Sequence, residues 1–142
     1  MQEYIEFATN NPALSLAWVA IAGLLIYSFI NSALSKVKTV NNHQATTLMN
    51  KENAIVVDVR PAETYRKSHI LNAVNVASAD IDANKLAMIE KYKNTPIIVM
   101  CDTGMSSGRA ASKLAKLGFT TVYNLSGGIA AWKEANLPTV KK

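Results

Sequence analysis

The stretch "PIIVMCDTGMSSGRAASKLAKLG", residues 96–118, contains the only cysteine of this 142-residue chain. Residues 96–100 form a continuous apolar, β-branched run, the pattern of a strand buried on both faces. Residues 106–117 read as a helix, with Gly118 placed where a helix C-cap belongs. Cys101 therefore falls at the carboxyl end of a strand, where ligand sites of open α/β sheets occur. The loop "CDTGMS" ends at a helix N-terminus, whose unpaired amides and dipole favour a negative charge such as a thiolate. Gly104 lets the backbone turn close to the sulfur, and Ser106 or Ser107 can cap the helix while offering a hydroxyl. A lone cysteine often serves as small apolar filler. This setting instead predicts a lowered thiol pKa and a reachable sulfur, the two conditions for a nucleophile.

Outward from that stretch the same alternation continues. "AIVVDV" (54–59) and "TTVYNL" (120–125) read as further buried strands, with shorter ones over 36–40 and 75–78. Helices are expected over 42–50, 61–67, 81–92 and 128–135. Strand alternating with helix predicts an α/β class: a single domain over 36–142 with a mainly parallel central sheet flanked by helices.

The first 35 residues have another character. No residue from Phe7 to Ser35 is charged, and "ALSLAWVAIAGLLIYSFINSAL" spans 13–34. As a helix that run is roughly 33 Å long, enough to cross a hydrocarbon core of about 30 Å, so one N-terminal transmembrane helix is expected. Pro12 suits its first turn, and Trp18, Tyr27 and Phe29 are aromatics of the interfacial kind. A cleaved signal peptide should begin with basic residues, whereas Glu3 and Glu6 stand there and no Lys or Arg does. Lys36 and Lys38 follow the span, so the positive-inside rule puts the domain in the cytoplasm and the N-terminus on the far side.

All 15 Lys and Arg residues and eight of the 10 acidic residues follow residue 35, giving the domain a positive excess within a chain of net charge +5. That excess suits solubility or contact with anionic lipid headgroups. No nucleic-acid partner is expected, since the basic residues are scattered and no aromatics interleave with a basic cluster. One cysteine with the distant His43 and His69 makes neither a zinc site nor an internal disulfide.

The residues resemble the rhodanese-like sulfurtransferases. "IVVDVRPAETYRKSHILNAVNV" (55–76) resembles the family's first strand with its Asp-Val-Arg and His-Ile motifs. "CDTGMSSGRAASKLAKLGF" (101–119) resembles the active-site loop and helix, and "VYNLSGGIAAW" (122–132) the closing strand, double glycine and helix. The layout of anchor and domain resembles the small membrane-bound rhodaneses of Gram-negative bacteria, which implies an inner-membrane location with a periplasmic N-terminus. The resemblance also implies that Cys101 accepts a sulfane sulfur as a persulfide, with no cofactor. Asp102, Thr103, Gly104, Met105, Ser106 and Ser107 would form the substrate cradle, with the backbone amides of 102–106 holding the sulfur. Asp58, Arg60, Glu63 and His69 match motif positions and read as scaffold, supporting the site. Gly127 and Gly128 read as a tight turn against the active-site side, and Trp132 as core.

Two departures matter. Many members carry arginine directly after the cysteine, where this chain has Asp102, a charge that opposes both a thiolate and a dianionic donor such as thiosulfate. Ser68 replaces the glycine that usually precedes the His-Ile pair. A cysteine phosphatase would need an arginine six positions after the cysteine to grip phosphate, but position 107 is Ser and Arg109 comes two residues late. Two readings stay open. One is a sulfurtransferase passing sulfur from a sulfane donor to an external thiol or cyanide, since no second cysteine can resolve a persulfide internally. The other is a weakly catalytic module that docks on inner-membrane protein partners.

Overall fold

The computed structural model describes residues 1–33 and 36–141, which fall into two compact units, Met1–Ser35 and Lys36–Lys142. The first unit holds α1 (Gln2–Asn10) and α2 (Pro12–Ala33). Pro12 opens α2, where its missing N–H costs nothing. One segment, Pro12–Asn31, is long and apolar enough to cross a membrane, with a mean hydropathy of 2.2. Leu34, the expected last residue of the span, lies outside the described residues.

The second unit runs β1 (Val37–Val40), α3 (Asn42–Lys51), β2 (Ile55–Asp58), α4 (Ala62–Lys67), β3 (His69–Ile70), β4 (Val74–Asn75) and α5 (Ser78–Asp82). After a 3-10 turn at Glu90–Tyr92 come β5 (Ile97–Met100), α6 (Met105–Lys116), β6 (Val122–Leu125), α7 (Gly128–Glu134) and β7 (Thr139–Val140). Five strands form one parallel sheet in the order β1-β6-β5-β2-β4, so the fold is an α/β sandwich with β5 at its centre.

Strand β5 shows why the apolar runs are continuous. Its side chains alternate between two cores: Ile97, Val99 and Cys101 pack with Ala110, Ala111 and Leu114 of α6, while Ile98 and Met100 pack with Ile129 and Trp132 of α7. Both faces of the strand are covered, so no position can be polar without a partner.

Connections from β2 and β5 leave toward opposite edges of the sheet, β2 to its neighbour β4 and β5 to its neighbour β6. The crevice at such a reversal lies beyond the carboxyl ends of these two strands, with Arg60 two residues past β2 and Cys101 directly after β5.

The expected helix over 81–92 is not formed. α5 ends at Asp82, and Asn84 takes a left-handed φ of 59° that no helix continues through. Ile81, Leu86 and Ile89 are nevertheless all buried, so the segment supplies core through turns rather than helical pitch. The strand expected over 75–78 is only the pair Val74–Asn75, and Ser78 opens α5 instead. Gly118 does end α6: at φ 104° it lets Phe119 N–H reach Leu114 O while its own N–H reaches Ala115 O.

Candidate active site

Four residues, 101–104, join β5 to α6, and their conformation is set by glycine. Gly104 is the N-cap of α6 at φ 95°, and a Cβ there would stand 3.1 Å from Leu125 O and 3.2 Å from Gly127 N. That turn brings Gly104 N–H to 3.0 Å from Cys101 Sγ. The expectation that Ser106 or Ser107 caps the helix is corrected: neither does, because the left-handed Gly104 occupies the N-cap and both serines lie in the first turn. Ser107 is fully buried and turned inward, its Oγ 3.3 Å from Cys101 Sγ.

A second helix N-terminus holds the loop from the other side. Ile129 N–H donates to Cys101 O at 2.9 Å and Ala130 N–H to Asp102 O at 3.1 Å. Such close backbone approach requires Gly128, whose Cβ would collide with the Cys101 and Asp102 carbonyl groups. With those carbonyls tied to α7, the opposite edge of the loop is left to present N–H groups to the sulfur.

Burial pushes the Cys101 thiol up. In the thiolate, hydrogen bonds donated by the Ser106 and Ser107 hydroxyls and by the Ser107 and Gly104 backbone N–H groups outweigh burial and lower it to about 7. A substantial fraction is therefore thiolate near neutral pH.

Charge around the loop is organised by Arg60. Its side chain is buried against Asp58, with Nη2 at 2.7 Å and Nε at 3.0 and 3.1 Å from the carboxylate oxygens, and Nη2 also donates to Ser68 O at 2.7 Å. Nη1 reaches Asp102 Oδ1 at 3.7 Å. One guanidinium thus serves two carboxylates, Asp58 fully buried and Asp102 68% exposed. Asp102 lies on the rim with its charge turned to Arg60 and water.

The other expected residues separate into two groups. Thr103, Met105 and Ser106 are exposed on the rim beside Asp102. His69 is buried and stacks on the Tyr65 ring at 3.9 Å, with Nδ1 2.8 Å from Tyr65 O, and so braces α4 rather than the loop. Tyr65 is itself held protonated by burial and by the Asp58 charge. Glu63 is exposed and Trp132 is core, its Nε1 donating to Pro138 O at 3.0 Å. Arg109 is exposed on α6, away from any phosphate-closing position. Among the described residues no three His, Cys, Asp or Glu side chains gather to hold a metal.

Sequence reasoning missed Asn124. From β6 its Oδ1 lies 2.5 Å from Ser107 Oγ, and its Nδ2 donates to Gly104 O at 3.1 Å. The available signal was an amide side chain two residues after Val122, on the strand face that packs against α6.

Residues 41–135 match the model of the family "Rhodanese-like domain". The protein YibN of Escherichia coli strain K12 is 40% identical over 141 residues, covering 99% of each chain. The thiosulfate sulfurtransferase GlpE of Pseudoalteromonas translucida is 35% identical over 105 residues, covering 74% of this chain and 97% of its own. Among solved structures, the BH2092 protein of Bacillus halodurans matches with a TM-score of 0.65 at 28% identity, covering 84% of this chain and 86% of that one. A central cysteine cradled between two helix N-termini, on a parallel sheet of this order, together with these likenesses, shows that the chain belongs to the rhodanese-like domain family.

Proposed function

We propose that the protein is a membrane-tethered sulfurtransferase that carries a sulfane sulfur on Cys101. The observation that carries this reading is the setting of the Cys101 sulfur at the end of the central strand, with Gly104 N–H at 3.0 Å and Ser107 Oγ at 3.3 Å, a setting that lowers the thiol pKa to about 7. The Cys101 thiolate attacks the outer sulfur of a donor R–S–S⁻. A new Sγ–S bond forms, the donor's S–S bond breaks, and the donor fragment leaves with the bonding electron pair. An external thiolate or cyanide then attacks the outer sulfur of the persulfide, and Cys101 departs as thiolate. No net oxidant is needed, because the transferred atom is already at the sulfane level. Backbone N–H groups stabilise the outer sulfur's charge without crowding it.

Helix α2 would hold the domain at the inner membrane, with Lys36 and Lys38 keeping it on the cytoplasmic side. The docking-module reading draws on the membrane tether and on Asp102: with Arg60 already committed to Asp58, the rim offers a dianion little unshared positive charge.

Mass spectrometry of the full chain in detergent, after incubation with thiosulfate and with a low-molecular-weight persulfide, separates the two. The wild type should gain the mass of one sulfur atom, and Cys101→Ser should gain none, because a serine hydroxyl stays protonated where the cradled thiol ionises. A wild type left unmodified by every donor would support the docking module.

A further inference from the structure

The hydroxyl of Ser107 has two acceptors and one proton. It lies 3.3 Å from Cys101 Sγ and 2.5 Å from Asn124 Oδ1. The orientation of the Asn124 carboxamide is fixed by chemistry: Gly104 O can only accept, so the group 3.1 Å from it is the Nδ2 amide and the opposite atom facing Ser107 is the oxygen. An amide oxygen cannot donate, so the short Ser107–Asn124 contact is made with the serine proton. With that proton spent on Asn124, the serine oxygen can only accept from the sulfur. While the thiol keeps its proton the arrangement is a directed chain: Cys101 S–H donates to Ser107 Oγ, whose O–H donates to Asn124 Oδ1.

Ionisation of the thiol breaks this order. A thiolate has no proton to give, and the hydroxyl can serve it only by turning away from Asn124. The geometry points to Asn124 as a positioning residue for sulfur transfer, one that competes with the Cys101 sulfur for the Ser107 hydroxyl proton and thereby opposes formation of the thiolate. This rests on the reading of Cys101 as the sulfur carrier, and it deepens that reading by giving the site two hydrogen-bonded states. Before attack the hydroxyl turns to the thiolate. Once a persulfide forms, the negative charge moves to the outer sulfur, the inner sulfur becomes a poor acceptor, and the hydroxyl can return to Asn124. The second link of Asn124, to Gly104 O, keeps the carboxamide oriented through the exchange.

Charged groups on the surrounding elements are Asp102 on the loop, the Asp58–Arg60 pair at the end of β2, Asp80 and Asp82 on α5, Arg109, Lys113 and Lys116 on α6, and Lys133 and Glu134 on α7. None belongs to the Cys101–Ser107–Asn124 chain, and substituting Ser107 or Asn124 leaves all of them in place.

The test is the pH profile of Cys101 alkylation by iodoacetamide, read on the full chain in detergent micelles for wild type, Asn124→Leu, Ser107→Ala and the double variant. Removing the competing acceptor frees the hydroxyl for the thiolate, so Asn124→Leu should lower the alkylation midpoint by about one pH unit, the worth of one hydrogen bond to a charged sulfur. In the Ser107→Ala background the same substitution should shift nothing, since no shared proton remains. An unchanged midpoint in Asn124→Leu, or an equal shift in both backgrounds, would overturn the proposal and leave Asn124 as a prop for the loop. Should Asn124→Leu fail to fold, the Asn124 side-chain amide resonance answers the same question. It should titrate with Cys101 in wild type and flatten in Ser107→Ala; a titration of the same size in both proteins would sink the idea.

Discussion

Asp102 places a carboxylate beside the proposed sulfur site, yet its side chain is 68% exposed and 3.7 Å from Arg60 Nη1. Water, salt and a shared guanidinium all weaken its reach, so its effect on the chemistry should be modest. Asp102→Arg should raise thiosulfate turnover about threefold at low salt, and the gain should shrink as salt is added. Equal rates at every salt concentration would show that this charge does not act on the approaching donor. Cys101 itself carries a pH signature. Its folded thiol is held at about 7, below the ordinary 9, so the folded state loses its proton first. The stabilisation is complete above about pH 9 and is lost as pH falls through about 7. The stability gap between wild type and Cys101→Ser, measured by thermal unfolding in micelles, should widen in favour of wild type across that window. A constant gap would mean that the thiol titrates alike in both states. Cys101, Gly104 and Ser107 were legible in the sequence because a strand end, a glycine and a helix start specify an anion cradle by themselves. Asn124 was not, because its role depends on the β5–β6 register, which pairs it with Val99 across the sheet.

Helix α7 acts on the loop through its first turn, where Ile129 and Ala130 hold the carbonyls of Cys101 and Asp102. Gly128 stands at φ 56° against those carbonyls, so an added methyl can be accommodated only by moving backbone. Gly128→Ala should cost about 1–3 kcal/mol of stability from the left-handed strain alone, and more from the collision. It should also slow Cys101 alkylation at pH 7 by pulling the Gly104 amide off the sulfur. A folded Gly128→Ala protein with wild-type thiol reactivity would show that α7 does not position the loop. The strands of the sheet were readable because burial on two faces leaves a continuous apolar run. The segment after α5 was misread for a related reason: Ile81, Leu86 and Ile89 are core residues, but an asparagine in the left-handed region breaks the helical path between them. The antiparallel pair β3–β7 escaped notice because two-residue strands are too short to show any period.

At the scale of the whole chain, α2 and the sulfur site belong to separate compact units joined in sequence ahead of β1. Lys36 and Lys38 follow the apolar helix in sequence and are exposed, so they offer trypsin a site, and in the proposed topology they are also the orienting charges. Trypsin added to intact spheroplasts should leave the chain whole, and after permeabilisation it should release the domain. Release from intact spheroplasts would reverse the topology. The apolar span was the plainest feature of the sequence, since length and lack of charge suffice to read it, whereas α1 carries no such signal and was not foreseen. The tie between α7 and the loop also has a consequence in time. Cys101 is synthesised some thirty residues before the N–H groups of Ile129 and Ala130 that fix its carbonyl and that of Asp102, so the emerging cysteine is an ordinary thiol, mostly protonated at neutral pH. The loop geometry around the sulfur is complete only when the last helix docks. A thiol that gains its donors only on completion of the fold would be spared indiscriminate oxidation while the chain is still being made.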